Sequence, residues 1–154
     1  MLDKTKRYLV VGLGLVGGKY ALELTKAGFH VDGINRSEGH LQYALDHGYI
    51  ASGKTHDFED LVQQADHIIF GLYPTALLEW FKAYGPLLKP GCIFTDVSGV
   101  KTGLVEPVQA MCPAGVEFIA SHPMAGRETS SVEHAAEVNF APANFIITPT
   151  EKNT

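Results

Sequence analysis

Three short segments of this 154-residue sequence carry residues able to do chemistry. His122 stands in His122-Pro123-Met124-Ala125-Gly126, directly after the apolar run Val116 to Ala120. An imidazole can take up a proton near neutral pH. The proline that follows stiffens the backbone, and the small residues beyond it leave room for a ligand. A packed, hydrogen-bonded core histidine would suit the same local sequence, so both readings stand at this level. Arg127 and Glu128 could bind an anion and orient the imidazole, or serve as solvated loop charges.

The second segment, Gly12-Leu13-Gly14-Leu15-Val16-Gly17, has the spacing GxGxxG between an apolar run and a helical pattern. In that context the first glycine permits a tight turn, the second lets a pyrophosphate approach the backbone, and the third lets helix pack on strand. The phosphates would rest on the unpaired N–H groups at the positive end of the helix. Gly12, Leu13, Gly14, Leu15, Val16 and Gly17 are therefore the expected pyrophosphate-binding residues. The third segment, Asn35-Arg36-Ser37, follows the second apolar run, where an acidic residue would bind a ribose 2′-hydroxyl. An amide, a guanidinium and a hydroxyl there favour the 2′-phosphate of NADP over NAD. Asp32 lies inside the run and is discounted as the ribose ligand. A solvated Arg36 and a Ser37 that only caps a helix are the plainer alternatives.

Positioning these groups requires repeated βα units. Tyr8 to Val11, His30 to Ile34, His67 to Leu72, Cys92 to Asp96, Val116 to Ala120 and Phe145 to Thr148 are short apolar runs, suited to strands covered on both faces. Between them Val16, Tyr20, Leu24 and Ala27 fall at helical spacing with Gly28 as the stop. Ser37, Asp57 and Thr75 are the expected caps of three further helices, and a fifth lies near Gly103 to Met111. The pattern predicts an α/β fold with a doubly wound, mostly parallel sheet of Rossmann type. Ligands bind beyond the carboxyl ends of such strands. Tyr73-Pro74 and the stretch Asp96-Val97-Ser98-Gly99-Val100-Lys101 fall at that edge too. Tyr73, Pro74, Ser98 and Val100 are thus further cofactor-facing candidates, although each loop also reads as a plain junction or turn.

Composition narrows the class. Hydrophobic residues make up 45% and charged residues 19%, the balance of a globular domain. The net charge of −5, with no block of like charge, argues against nucleic acid or an anionic membrane as partner. Cys92 and Cys112 have neither disulfide-framework nor zinc spacing, and the seven histidines offer no convincing metal pair, so no metal is expected. Reduced thiols and the absence of a signal-peptide pattern or a spanning apolar run point to a cytoplasmic protein. Residues 1–150 read as one dinucleotide-binding domain, and the polar stretch 151–154 as the start of a linker.

Taken in order, Gly12-Leu-Gly-Leu-Val-Gly-Gly18, Asp96-Val-Ser-Gly-Val-Lys101, His122-Pro-Met-Ala-Gly126 and Phe145-Ile-Ile-Thr-Pro-Thr150 resemble the prephenate/arogenate dehydrogenase family over nearly the whole chain. The resemblance implies NAD(P)-dependent oxidative decarboxylation of prephenate or arogenate in tyrosine biosynthesis. It implies that His122 takes the proton of the ring hydroxyl, with Glu128 as the acidic residue that follows and Ser98 nearby. The family usually carries serine where this sequence has Gly99, and commonly glycine where it has Ser131. It also implies a helical second domain that dimerises and completes the substrate site, absent from these 154 residues, so that this chain alone would have little or no activity. Two other readings are a related 3-hydroxyacid dehydrogenase, a group lacking the His-Pro-Met-Ala-Gly segment, and a non-catalytic NADP-sensing module.

Overall fold

In the computed structural model, residues 3–125 and 131–154 are described. Seven strands form one sheet: β1 (Arg7–Val11), β2 (His30–Ile34), β3 (Ser52–Lys54), β4 (His67–Phe70), β5 (Ile93–Asp96), β6 (Glu117–Pro123) and β7 (Phe145–Thr148). Their order is β3-β2-β1-β4-β5-β6-β7. All pairs are parallel except β6 with β7, where Pro123 faces Phe145 and Ala120 faces Thr148. The doubly wound, mostly parallel sheet is therefore as read from the periodicity. The chain reverses its winding between β1 and β4, which is where such a sheet opens a crevice for ligands.

The helices are α1 (Leu15–Lys26), α2 (Glu38–Asp46), α3 (Glu59–Gln64), α4 (Pro74–Tyr84) and α5 (Val105–Met111). Two expected caps move. Asp57 adopts φ 49° and does not cap; Phe58 occupies the capping position of α3. Thr75 falls inside α4, because Pro74, with its fixed φ and missing N–H, takes the first helical position. Ser37 does cap α2, its side chain accepting the His40 N–H at 3.2 Å.

Alternation along the strands divides the core in two. Leu9, Val11, Ile68, Phe70, Phe94 and Phe118 pack with Leu61, Leu77, Phe81 and Val108 on one face. Phe94 stacks on Phe118 with centroids 4.8 Å apart. Val10, Val31 and Ile69 pack on the opposite face with Ala21, Leu41 and Ala44. A short 3-10 segment, Val132–Glu137, also joins this second layer. It lies so close to α1 that a Cβ on Gly18 would come within 2.9 Å of both Val132 and Ala135. Among the described residues, no helix is long and apolar enough to cross a membrane.

The ends of strands also shift. The run expected to continue to Leu72 stops at Phe70, and β6 runs on to Pro123, so His122 is a strand residue paired with Ile146. After β7 the polar stretch folds back. Asn153 donates to Phe118 O at 2.7 Å, and the Thr154 N–H donates to the Glu117 carboxylate at 2.9 Å.

Candidate cofactor and active site

The glycine-rich turn is held by backbone packing that side chains would forbid. Gly12 has φ +92°, and a Cβ on it would fall 2.5 Å from Gly71 O. A Cβ on Gly17 would fall 2.0 Å from Gly12 O, and one on Gly71 would fall 2.5 Å from the same oxygen. Gly71 thus completes the turn with Gly12 and Gly17, a role the sequence reading missed; a glycine directly after the fourth strand was the available signal. Gly14 differs, since a Cβ there would meet nothing within 4 Å. The space over Gly14 is open to a ligand.

Helix α1 begins there with no side-chain cap and no acidic residue in its first turn. The N–H groups of its first turn, on Leu15, Val16 and Gly17, have no carbonyl of an earlier turn to bond, and they sit at the positive end of the helix dipole. These residues fit a pyrophosphate. Leu13 plays a different part: its side chain is fully buried, and its N–H donates to Asn35 Oδ1 at 3.0 Å. Asn35 in turn donates from Nδ2 to Ser37 O at 3.2 Å, tying the end of β2 to the glycine turn. Arg36 is exposed beside them. Asp32 is 3% exposed and occupied by Arg7 at 2.9 Å, His30 at 2.8 Å and Ser52 at 2.7 Å. Tyr73, 86% exposed, and Val100, 63% exposed, stand at the carboxyl edge with Pro74 behind Tyr73 at the start of α4.

The loop after β5 is braced against β6. Asp96 has no exposed surface; its Oδ2 accepts from Lys101 Nζ at 2.5 Å and from the Ser98 N–H at 3.2 Å. Its Oδ1 accepts the Ser121 N–H at 3.1 Å, and Lys101 Nζ also donates to Ser121 O at 2.6 Å. Lys101 is thus the clamp of this loop, with its side chain 17% exposed. Burial, and then the neighbouring Asp96 carboxylate, push the Tyr20 phenol up to about 12, so it stays neutral. Ser98 spends its hydroxyl locally: it donates to Val100 O at 3.1 Å and accepts the Val100 N–H at 3.2 Å. Among the described residues, no hydrogen bond joins Ser98 to His122.

His122 is half-buried at the end of β6, with the backbone of Gly99 against its ring. The geometry therefore brings together His122, the 96–101 loop, the glycine turn and the end of β2 at one sheet edge. Gly126, Arg127 and Glu128 lie outside the described residues. Ser131 adopts φ 86° and ψ 150°, a region open mainly to glycine.

Sheet order, glycine turn and gathered loops define a dinucleotide-binding domain of Rossmann type. The chain belongs to the prephenate dehydrogenase family: residues 20–154 match the domain described as "Prephenate dehydrogenase, nucleotide-binding domain". It is 32% identical over 149 residues to prephenate dehydrogenase of Bacillus subtilis, covering 94% of this chain and 39% of that protein. Among solved structures it is similar to Synechocystis arogenate dehydrogenase, with 30% identity and TM-score 0.84 over 94% of this chain and 50% of that one. It is also similar to Aquifex aeolicus prephenate dehydrogenase in complex with hydroxyphenyl propionate and NAD+, with 27% identity and TM-score 0.85 over 97% of this chain and 52% of that one. The chain thus spans about two fifths of the length of the curated relative and half of these solved chains.

Proposed function

We propose that this chain is the cofactor-binding part of an enzyme that oxidatively decarboxylates prephenate or arogenate in tyrosine biosynthesis, with NADP preferred over NAD. The observation that carries the reading is the placement of His122 at the same sheet edge as the glycine turn, beside the braced 96–101 loop. The first turn of α1 and the open space over Gly14 would hold the pyrophosphate, and Asn35, Arg36 and Ser37 the adenosine ribose with its 2′-phosphate. Tyr73, Pro74, Ser98 and Val100 would flank the rest of the cofactor. When bound, the nicotinamide supplies the hydride acceptor.

His122 hydrogen-bonds the ring hydroxyl of the substrate and takes its proton as that carbon gives up a hydride and becomes a carbonyl; the electron pair of the bond to the departing carbon dioxide then makes the ring aromatic, and the phenolate oxygen recovers a proton from His122. Asp96 and Lys101 hold the loop that faces the imidazole. Glu128 is the acidic group proposed to serve the same centre. A helical second domain would dimerise and supply the remaining wall of the substrate site, in a cytoplasmic homodimer. The exposed Phe145, Ile146 and Ile147 of β7 support a further polypeptide surface there. These 154 residues alone are then expected to bind cofactor with little or no turnover, because the reactants are incompletely held.

The decisive experiment is His122→Asn in the natural full-length polypeptide. Turnover is expected to fall by about 100-fold or more with cofactor affinity kept, the usual size of a general-base contribution. Near-normal turnover would refute the assignment.

A further inference from the structure

The loop after β5 and the end of β6 meet at Gly99. A Cβ on Gly99 would lie 3.0 Å from Cε1, 3.2 Å from Nε2 and 3.5 Å from Nδ1 of His122. The first separation is tighter than most carbon contacts in a packed interior, so with a side chain at this position either the loop or the ring must give by a few tenths of an ångström. The loop is fastened at both ends, by Asp96 to the Ser98 N–H and by Lys101 to both Asp96 and Ser121 O. Strand β6 is fastened in turn by its pairing with β5 and β7. What remains free to move is the imidazole.

Ser98 does not hold the ring, since its hydroxyl is paired with Val100. We propose that Gly99 is a positioning residue for His122: its bare Cα lets the fastened loop close against the ring and so seats the imidazole. The seating rests on geometry; its effect on turnover rests on the reading of His122 as proton acceptor.

The test is nuclear magnetic resonance on the 154-residue chain. A nuclear Overhauser cross-peak between the Gly99 Hα protons and His122 Hε1 is expected, and its absence overturns the proposal. In Gly99→Ala the His122 Hε1 and Hδ2 signals are expected to move while those of the other six histidines stay. An unmoved His122 signal in a folded variant overturns it as well. Should Gly99→Ala fail to fold, the cross-peak in the parent decides alone. In the natural full-length polypeptide Gly99→Ala is expected to lower kcat about tenfold or more with NADPH affinity kept; an unchanged kcat removes the positioning role. Near-normal turnover of His122→Asn would remove the catalytic reading and leave the cross-peak standing, so the two failures are told apart.

Discussion

The Lys101 ammonium lies 2.5 Å from Oδ2 of Asp96, a carboxylate with no exposed surface. Removing one partner of a buried pair leaves an uncompensated charge, so Lys101→Met is expected to cost about 3 to 5 kcal/mol of stability. Urea unfolding of the two proteins measures it. A loss below about 1 kcal/mol, the worth of an exposed pair, would mean that water reaches Asp96.

Gly17 and Gly14 should separate folding from binding. At Gly17 an added Cβ would sit 2.0 Å from a backbone oxygen, so Gly17→Ala is expected to lose about 3 kcal/mol or more, the upper range for overpacking. At Gly14, where φ is −92° and nothing lies within 4 Å, alanine should leave the melting temperature nearly unchanged. It should weaken NADPH binding about tenfold by filling the space the cofactor needs. Equal effects of the two substitutions on melting would contradict the packing described for the turn.

Arg36 is exposed, and among the described residues its guanidinium has no ion-pair partner. If it reads the 2′-phosphate, Arg36→Ala should weaken NADPH by about 10- to 100-fold, the worth of charge-assisted hydrogen bonds, and leave NADH alone. Fluorescence titration with both nucleotides checks this; parallel losses would assign Arg36 no part in cofactor choice.

Burial pushes the Cys92 thiol from its ordinary value near 9 up to about 12. The unfolded chain therefore releases this proton first as pH rises, and bound protons then favour the native state less and less. Stability should be level below pH 9 and fall above it, by at most about 1.4 kcal/mol per pH unit for this thiol. Cys92→Ala should flatten that alkaline slope in urea melts recorded across the range. An unchanged slope would place its origin elsewhere.

Much of this architecture could be read from residue types. His30–Ile34 and Phe145–Thr148 fall where their runs predict, although β7 leaves Phe145, Ile146 and Ile147 exposed and β2 carries Asp32 and Gly33 within it. Ser52–Lys54 could not be read that way, having no large apolar residue; it is a strand because β2 offers it an edge to pair with. The apolar run Val116 to Ala120 stops short of His122, yet pairing with β7 carries β6 on to Pro123. The segment Val132–Glu137 depends on a match between Gly18 and a partner more than a hundred residues away, which local periodicity does not register. The site shows the same division. Glycine spacing announced the turn, whereas the Asp96, Lys101 and Ser121 brace arises from three positions that become neighbours only when β5 and β6 pair.

The antiparallel return of β7 has a practical consequence. Because β7 runs back from Pro123 toward Ala120, and Asn153 and Thr154 bond to Phe118 and Glu117, residue 154 is delivered to the amino edge of the sheet. The glycine turn and His122 open onto the other edge. An affinity tag or fluorophore joined after Thr154 would therefore emerge remote from the nucleotide, able to immobilise or report on the domain without shadowing the surface where ligands arrive.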